Sequence, residues 1–125
     1  MRLLVDTHAL LWSIGDPERL SDVARAALWD PANEVRVSVA SVWEIGIKRA
    51  LGMLTAPDDL RPHLEAANFI PLLISLEHAK VAGSLPLHHR DPFDRMLIAQ
   101  AQIESLTLVT RDERFARYGV QILAA

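Results

Sequence analysis

The sequence predicts an α/β fold, a three-layer α/β/α sandwich around a parallel five-stranded sheet. Five short apolar segments alternate along the chain with longer amphipathic segments. Parallel neighbours in a sheet need a crossover connection, usually a helix, so this alternation favours a parallel sheet covered on both faces. The 125 residues contain no repeat, low-complexity tract or Gly/Ser linker, which predicts a single domain over residues 1–125.

The first part of the chain supplies two strands and three helices. Residues 2–5 form a short apolar strand, and a short helix begins near His8. Residues 21–29 are predicted to be helical because a serine at the start supplies the cap and an Asp-Pro pair supplies the stop. Valine alternates with polar residues in 35–39, which indicates a strand. The next helix, 40–51, ends at a glycine.

The middle of the chain predicts two helices around one strand. Residues 58–67 form a helix behind a proline, residues 70–74 a short strand and residues 77–83 a short helix. This segment therefore adds the third strand of the sheet.

The last part of the chain begins with the longest predicted helix, 91–104. Its first residue is a good N-cap, and a proline occupies the first helical position. A strand at 106–109, a short helix at 113–118 and a strand at 120–123 follow. These two strands complete the sheet of five.

Composition limits the classes of protein and partner. Thirteen Lys and Arg against sixteen Asp and Glu give a net charge of -3, which alone argues against nucleic acid as a partner. Only Lys48 and Lys80 are lysines, however, and arginine is the better bidentate phosphate ligand. The absence of cysteine excludes disulfide frameworks. With no signal peptide and no run of about 18 uncharged residues, we expect a cytoplasmic protein without a membrane association.

Four carboxylates fall where an open parallel sheet places its ligand site, beyond the carboxyl ends of the strands. Asp6 directly follows the first strand, and Glu44 lies just after the second. Asp112 lies past the fourth strand, and Asp94 lies in the first turn of the long helix. The predicted topology therefore brings the four acids to one edge of the sheet.

The first two acids also have purely structural interpretations. Asp6 could cap the short helix that begins near His8. Ser41 and Glu44 form a capping-box pattern, and Glu44 precedes Lys48 by four residues, a favourable helical pair. By itself, Glu44 fits a structural role better than a catalytic one.

The other two acids are equally ambiguous when each is taken alone. Asp91 is a good N-cap, and Asp94 behind it could serve only to complement the helix dipole. Thr110 and Glu113 form a possible capping pair beside Asp112. The prediction of a site therefore depends on the joint placement of the acids.

Four carboxylates at one place would repel one another unless cations neutralise them. Oxygen ligands without cysteine select hard ions such as Mg²⁺ or Mn²⁺ over zinc. The five histidines show no metal-binding spacing, so we assign none of them a metal role. This chemistry is typical of nucleases and phosphatases.

Four ordered motifs span nearly the whole chain. They are LVDTHALLW at 4–12, SVASVWEIGIK at 38–48, DPFDRMLIAQA at 91–101 and TRDERF at 110–115. Together they resemble the motifs of PIN-domain ribonucleases, most closely the VapC-like toxins of type II toxin-antitoxin systems. The resemblance implies a parallel sheet of order 3-2-1-4-5, a homodimer, and inhibition by a small antitoxin protein.

The resemblance also assigns the site. It implies that the catalytic, metal-binding cluster comprises Asp6, Glu44, Asp94 and Asp112. The supporting hydroxyls, which position ligands or water, would be those of Thr7, Ser41 and Thr110. The expected cofactor is Mg²⁺ or Mn²⁺, as one or two ions.

The implied activity is endonucleolytic cleavage of RNA phosphodiester bonds by metal-activated water. Such cleavage leaves 5'-phosphate and 3'-hydroxyl ends. Single-stranded or loop RNA is the expected substrate, because side chains read the bases of duplex RNA poorly. Arg95 and Arg111, which flank two of the acids, are the candidate phosphate contacts.

Two other functions are compatible with parts of the sequence. An aspartate-nucleophile phosphotransfer or phosphatase domain would also place an acid such as Asp6 after its first strand. That class expects a second aspartate two residues later, where this chain has His8, and a lysine after a later strand, although no lysine follows Lys80. The other alternative is a catalytically inactive PIN-like module that binds only a partner.

The tryptophans bear on the partner surfaces. Core packing is the default for Trp12, Trp43 and Trp29, because tryptophan is largely buried in ordinary domains. For Trp12 and Trp43, an antitoxin groove or a dimer face is the alternative. Trp29 is assigned to the core alone.

Overall fold

In the computed structural model, which describes residues 1–125, five parallel strands form one sheet. The strands are β1 (Arg2–Val5), β2 (Glu34–Ser38), β3 (Ile70–Leu72), β4 (Thr107–Thr110) and β5 (Ile122–Ala124). Their order in the sheet is β3-β2-β1-β4-β5, and every neighbouring pair is parallel. The predicted sandwich and its strand order are confirmed.

Six α-helices and two 3₁₀ helices connect the strands. The α-helices are α1 (Thr7–Gly15), α2 (Asp22–Trp29), α3 (Val39–Ala50), α4 (Arg61–Ala66), α5 (Leu76–Ser84) and α6 (Pro92–Glu104). The 3₁₀ helices span Pro17–Arg19 and Glu113–Tyr118. None of the helices combines the length and the apolar character needed to cross a bilayer.

Two predicted boundaries were wrong because a side chain intervenes, and β5 also begins at Ile122 rather than at residue 120. Helix α4 begins at Arg61 rather than at residue 58, since the Asp59 carboxylate accepts a hydrogen bond from the Arg61 N–H and forms a turn instead. Strand β3 ends at Leu72 rather than at residue 74. Ser75 caps α5 through a reciprocal pair of hydrogen bonds with His78, so the chain enters a helix instead.

Two apolar cores lie on opposite faces of the sheet. Successive side chains of β1 point to opposite cores: Leu3 and Val5 lie in one core, and Leu4 lies in the other. All three are fully buried. Full burial stabilises each side chain by roughly 1.5–3 kcal/mol, which makes β1 the centre of the fold.

The register of the sheet places three strand ends together. Val5 at the end of β1 pairs with Val37 of β2 and with Val109 of β4. Asp6 and Thr110 therefore leave the sheet side by side, where the strand order reverses between β1 and β4. Open α/β sheets bind their ligands at such a reversal.

The tryptophans depart from the core prediction. Trp29 is the last residue of α2, and its side chain is exposed there. Trp43 is 64% exposed and contacts Phe93 edge-on, with 5.1 Å between the ring centroids. The core assignment of both side chains was wrong.

Candidate active site

A cavity of about 540 Å³ opens at the carboxyl edge of the sheet. Its fourteen lining residues include all four predicted acids, Asp6, Glu44, Asp94 and Asp112. Each acid arrives from a different element: the end of β1, the middle of α3, the first turn of α6 and the segment after β4. The structure therefore brings the four acids to one place.

Asp6 is buried at the junction of β1 and α1. Its Oδ1 accepts a hydrogen bond from the Ala9 N–H at 2.8 Å, so it does cap α1. Its Oδ2 accepts a second from the Thr110 hydroxyl at 2.6 Å. Burial raises the pKa of Asp6 against the lowering effect of these two donors. The Asp6 carboxylate therefore both caps α1 and lines the cavity.

Glu44 lies inside α3, and its neighbours are two hydroxyls and one cation. The Thr7 hydroxyl donates to Glu44 Oε1 at 2.6 Å and lies 3.0 Å from Ser41 Oγ. Lys48 Nζ donates to Glu44 Oε2 at 2.5 Å, and this hydrogen bond raises the pKa of Lys48. The predicted helical pair of Glu44 and Lys48 is confirmed.

The capping-box interpretation of Ser41 and Glu44 was wrong. Helix α3 begins at Val39, and Ser38 is its N-cap, accepting a hydrogen bond from the Ala40 N–H at 3.0 Å. Ser41 therefore lies in the first turn, where its hydroxyl contacts Thr7 of α1, and Glu44 lies in the second turn and lines the cavity.

Asp94 is the least stabilised of the acids. Burial is the largest cause that raises its pKa, to about 8, and the nearby carboxylates of Asp91, Glu44, Asp6 and Asp112 add to it. The predicted structural role of Asp94 is also present in part: Asp91 caps α6, and Asp94 lies in the first turn of that helix. Burial and the neighbouring carboxylates thus both disfavour the charged form of Asp94.

Asp112 has the opposite electrostatic environment. Arg114 donates to both of its oxygens, and the shortest distance, from Nη2 to Oδ2, is 2.7 Å. This contact is the main cause that lowers the pKa of Asp112 to about 2. The predicted capping pair of Thr110 and Glu113 was wrong, because Asp112 itself caps the 3₁₀ helix by accepting from the Arg114 N–H.

His89 is a site residue that sequence reasoning missed. Its Nε2 lies 2.9 Å from Asp94 Oδ2 and 3.2 Å from Asp112 Oδ2. The ring also stacks on Phe115, with 5.5 Å between the centroids. His88 and His89 are adjacent in a segment without regular structure, so no spacing rule could have separated their environments.

The donor set could hold a hard divalent cation. Four carboxylates supply only oxygen ligands, and no sulfur ligand is present in the sequence. A ring nitrogen of His89 and one oxygen each of Asp94 and Asp112 lie within 4.8 Å of one another. A bound cation would favour the charged form of Asp94, whose pKa is raised by burial and by the other carboxylates. The residues therefore fit a cation.

Residues 3–121 match the PIN domain family. The chain belongs to this family. The PIN domain is 30% identical over 120 residues to Ribonuclease VapC22 of Mycobacterium tuberculosis (strain ATCC 25618 / H37Rv), a comparison that covers 90% of this chain and 88% of the relative. The resemblance seen in the four motifs is thus confirmed.

Solved structures share the fold of this PIN domain. VapBC2 from Rickettsia felis, bound to a DNA fragment from its promoter, has a chain that aligns with a TM-score of 0.72 and 16% identity over 98% of each chain. A toxin-antitoxin complex from Klebsiella pneumoniae aligns with a TM-score of 0.62 and 23% identity, covering 98% of this chain and 96% of the other. At these identities the similarity establishes the fold alone.

The structure places neither of the two predicted phosphate contacts of the PIN domain in the cavity. Arg95 is 9% exposed, and its guanidinium donates to four backbone carbonyls. Arg111 donates to the carbonyls of Ala125 and Arg19 and lies over the Trp12 ring, 4.2 Å from its centroid. Neither guanidinium lines the cavity, because each is held by contacts elsewhere.

Proposed function

We propose that this PIN domain is a metal-dependent endoribonuclease and the toxin of a toxin-antitoxin pair. The observation that carries the proposal is the convergence of Asp6, Glu44, Asp94 and Asp112 on one cavity. The relative named Ribonuclease VapC22 supports RNA as the substrate. The toxin-antitoxin complex among the structural neighbours supports the second part.

The four acids would hold one or two Mg²⁺ or Mn²⁺ ions. Such a cation, when bound, supplies Lewis-acid stabilisation of the phosphoryl oxygens and lowers the pKa of the attacking water. The Thr110 hydroxyl orients Asp6, and the Thr7 hydroxyl, beside Ser41, orients Glu44. Since both carboxylates are buried and hydrogen-bonded, little reorganisation is needed when the ligand arrives.

Three basic side chains line the cavity and replace the predicted phosphate contacts. They are Lys48, Arg90 and Arg114. Arg90 and Arg114 are exposed, so their guanidinium groups can reach a phosphate of a strand that crosses the cavity. Attack by water, rather than by the 2'-hydroxyl of the RNA, leaves 5'-phosphate and 3'-hydroxyl ends.

We infer that the antitoxin and a second copy of the chain cover apolar surface beside this site. Along α3 and just beyond it, Trp43 is 64% exposed, and Leu51 and Met53 are 68% and 66% exposed. Around β3 and the start of α5, Leu73 and Leu76 are also largely exposed. Apolar surface of this kind is typical of protein interfaces. Analytical ultracentrifugation of the purified chain tests the homodimer.

The test of the nuclease proposal is RNA cleavage by protein purified free of any partner. We expect cleavage of single-stranded RNA in Mn²⁺, no cleavage in EDTA, and products with 5'-phosphate ends. Asp6→Asn should abolish cleavage, whereas the matched control Glu77→Gln removes an exposed carboxylate outside the cavity and should cleave like the wild type. Equal cleavage by Asp6→Asn would mean a contaminant or a different site.

The contacts of Asp6 do not favour the phosphotransfer alternative. Both of its oxygens accept hydrogen bonds, from the Ala9 N–H and the Thr110 hydroxyl. A carboxylate held in this way is suited to holding a ligand rather than to attacking phosphorus. A covalent phosphate on Asp6, detected by mass spectrometry after incubation with a phosphate donor, would favour the phosphotransfer mechanism instead.

A further inference from the structure

The His89 side chain is fixed on every side, although it comes from an irregular segment. It is 3% exposed and packs against Phe115. Its Nδ1 accepts a hydrogen bond from the Asp91 N–H at 3.2 Å. Its own backbone N–H donates to the Tyr118 hydroxyl at 2.7 Å. The ring therefore has one orientation relative to the cavity.

The contact at Nδ1 determines the tautomer. Because a backbone N–H points at Nδ1, that nitrogen must carry a lone pair, and the ring proton is on Nε2. Nε2 thus donates its hydrogen to Asp112 Oδ2 at 3.2 Å, and Asp94 Oδ2 lies 2.9 Å from the same nitrogen without a hydrogen bond from it.

We infer that His89 is a positioning residue that holds Asp112 beside Asp94 through its Nε2–H, and that it is not a ligand of the cation. This inference rests on the proposed metal-dependent function. A histidine that binds a metal normally donates its other ring N–H to a carboxylate or carbonyl. Here the other nitrogen accepts a hydrogen bond, which is the reverse arrangement.

Residues that do not line the cavity hold the segment that carries His89 in place. Arg95 donates to the carbonyls of four residues, which are Ala82, Leu85, Pro86 and His89. The Tyr118 hydroxyl donates to the Pro86 carbonyl at 2.6 Å while accepting from His89. A buried arginine with four carbonyl partners explains why this loop holds one conformation.

The arrangement has a defined consequence for the two carboxylates. Nε2–H holds Asp112 Oδ2, and Asp94 Oδ2 contacts the same nitrogen, so the ring sets the separation of the two groups. This arrangement leaves Asp94 Oδ1 for a cation, whereas Asp112 Oδ1 accepts from the Arg114 N–H and Nε–H. His89 thereby keeps the ligand set all-oxygen, as Mg²⁺ and Mn²⁺ prefer.

Two substitutions separate positioning from ligation. His89→Gln keeps an N–H donor at the reach of Nε2, and His89→Leu keeps an apolar side chain without a donor. With the full-length purified chain, we expect the leucine variant to bind Mn²⁺ about 10–100-fold more weakly than the wild type and the glutamine variant to recover most of the affinity. Binding is measured by electron paramagnetic resonance titration, and circular dichroism verifies the fold of each variant.

Electron spin echo spectroscopy of Mn²⁺ on the wild-type chain tests the inference without a variant. We expect no strongly coupled imidazole nitrogen. Such a coupling, present in the wild type and lost in His89→Gln, would make His89 a ligand and overturn the inference. Equal Mn²⁺ affinity of the wild type and His89→Leu would also overturn it. A wild-type chain that binds no Mn²⁺ would instead refute the proposed function, and the inference with it.

Discussion

The two halves of the acidic cavity are built in different ways. Asp6 and Glu44 are 7% and 3% exposed, and hydroxyl groups on regular elements hold them. Asp94 and Asp112 have side chains that are 22% and 25% exposed; nitrogen donors hold Asp112, and Asp94 contacts one of the same nitrogens. One of these donors, His89, comes from a loop that is itself held by Arg95.

Because of this difference, substitutions in the two halves should have different effects on stability and on activity. The hydroxyl-bound half shares its hydrogen bonds with the centre of the sheet, so a change there should affect both stability and activity. The nitrogen-bound half is electrostatically unfavourable in the absence of a cation, as the raised pKa of Asp94 shows. A change at Asp94 should therefore remove activity without loss of stability.

The largest expected effect is that of Asp94→Asn. Loss of a proposed cation ligand should reduce RNA cleavage by more than about 100-fold, because loss of a residue that only hydrogen-bonds to a metal ligand already costs about 10–100-fold. The folded-state pKa of about 8 exceeds the unfolded value, so the contribution of Asp94 to stability is fully present below pH 3.8 and is lost as the pH rises through 8. The asparagine side chain of the variant does not titrate, so the variant does not lose stability in this way as the pH rises.

The metal-free Asp94→Asn variant should therefore gain stability over the wild type as the pH rises from 5 to 8.5, by an amount on the order of a few kcal/mol. Urea unfolding in EDTA at both pH values measures the difference. Glu77→Gln is the charge-matched control. If the variant and the wild type keep a constant difference between these pH values, the electrostatic account of this half of the site is wrong.

Arg95→Met tests the anchor of the loop. Removal of a charged donor from four carbonyls should lower the free energy of unfolding by about 3 kcal/mol. The matched Arg90→Met variant, which changes an exposed arginine at the cavity, should retain stability and lose RNA affinity. Thermal unfolding and filter binding distinguish them. The opposite pattern would restore Arg95 as a phosphate contact.

Thr110→Val tests the hydroxyl-bound half. Valine keeps the shape of threonine but leaves the buried Asp6 carboxylate without its 2.6 Å donor, so stability should fall by about 1–3 kcal/mol together with activity. Thr107→Val, on the same strand with an exposed hydroxyl contact to Gln121, is the control and should change little. An active, fully stable Thr110→Val variant would contradict the proposed coupling of folding and function.

The smallest expected effect is that of Tyr118→Phe. The variant keeps the ring and loses the hydroxyl that links His89 to the Pro86 carbonyl, so it should lower stability by about 1 kcal/mol. Cleavage should fall with it, because the loop positions His89. Hydrogen exchange of the His89 amide measures the local loosening. Unchanged exchange would mean that the hydroxyl does not hold the loop.

The sequence was most informative where the fold alone determines a position. Asp6 and Asp112 could be placed because they follow strands, and parallel strands end at one edge of a sheet. Glu44 and Asp94 could be placed at the same edge from their positions just after the second strand and at the start of a helix, but a helical position alone does not determine the direction of a side chain.

The loop half could not be predicted, for physical reasons. His89 gains its role from a backbone N–H and a hydroxyl 29 residues away, neither of which has a local sequence pattern. Arg95 lies in the first turns of a helix, where an arginine is usually solvated. Its burial depends on carbonyls that a preceding loop turns toward it. Tertiary packing decides both positions.

The hydrogen bond between Thr110 and Asp6 joins residues 104 positions apart. During synthesis, Asp6, Glu44 and Asp94 all leave the ribosome before the strand that completes their site. Domains fold as units during synthesis, so the cavity stays unassembled until β4 and the segment after it have been made. A nascent chain stalled before β4 would carry three of the four acids and no complete cavity.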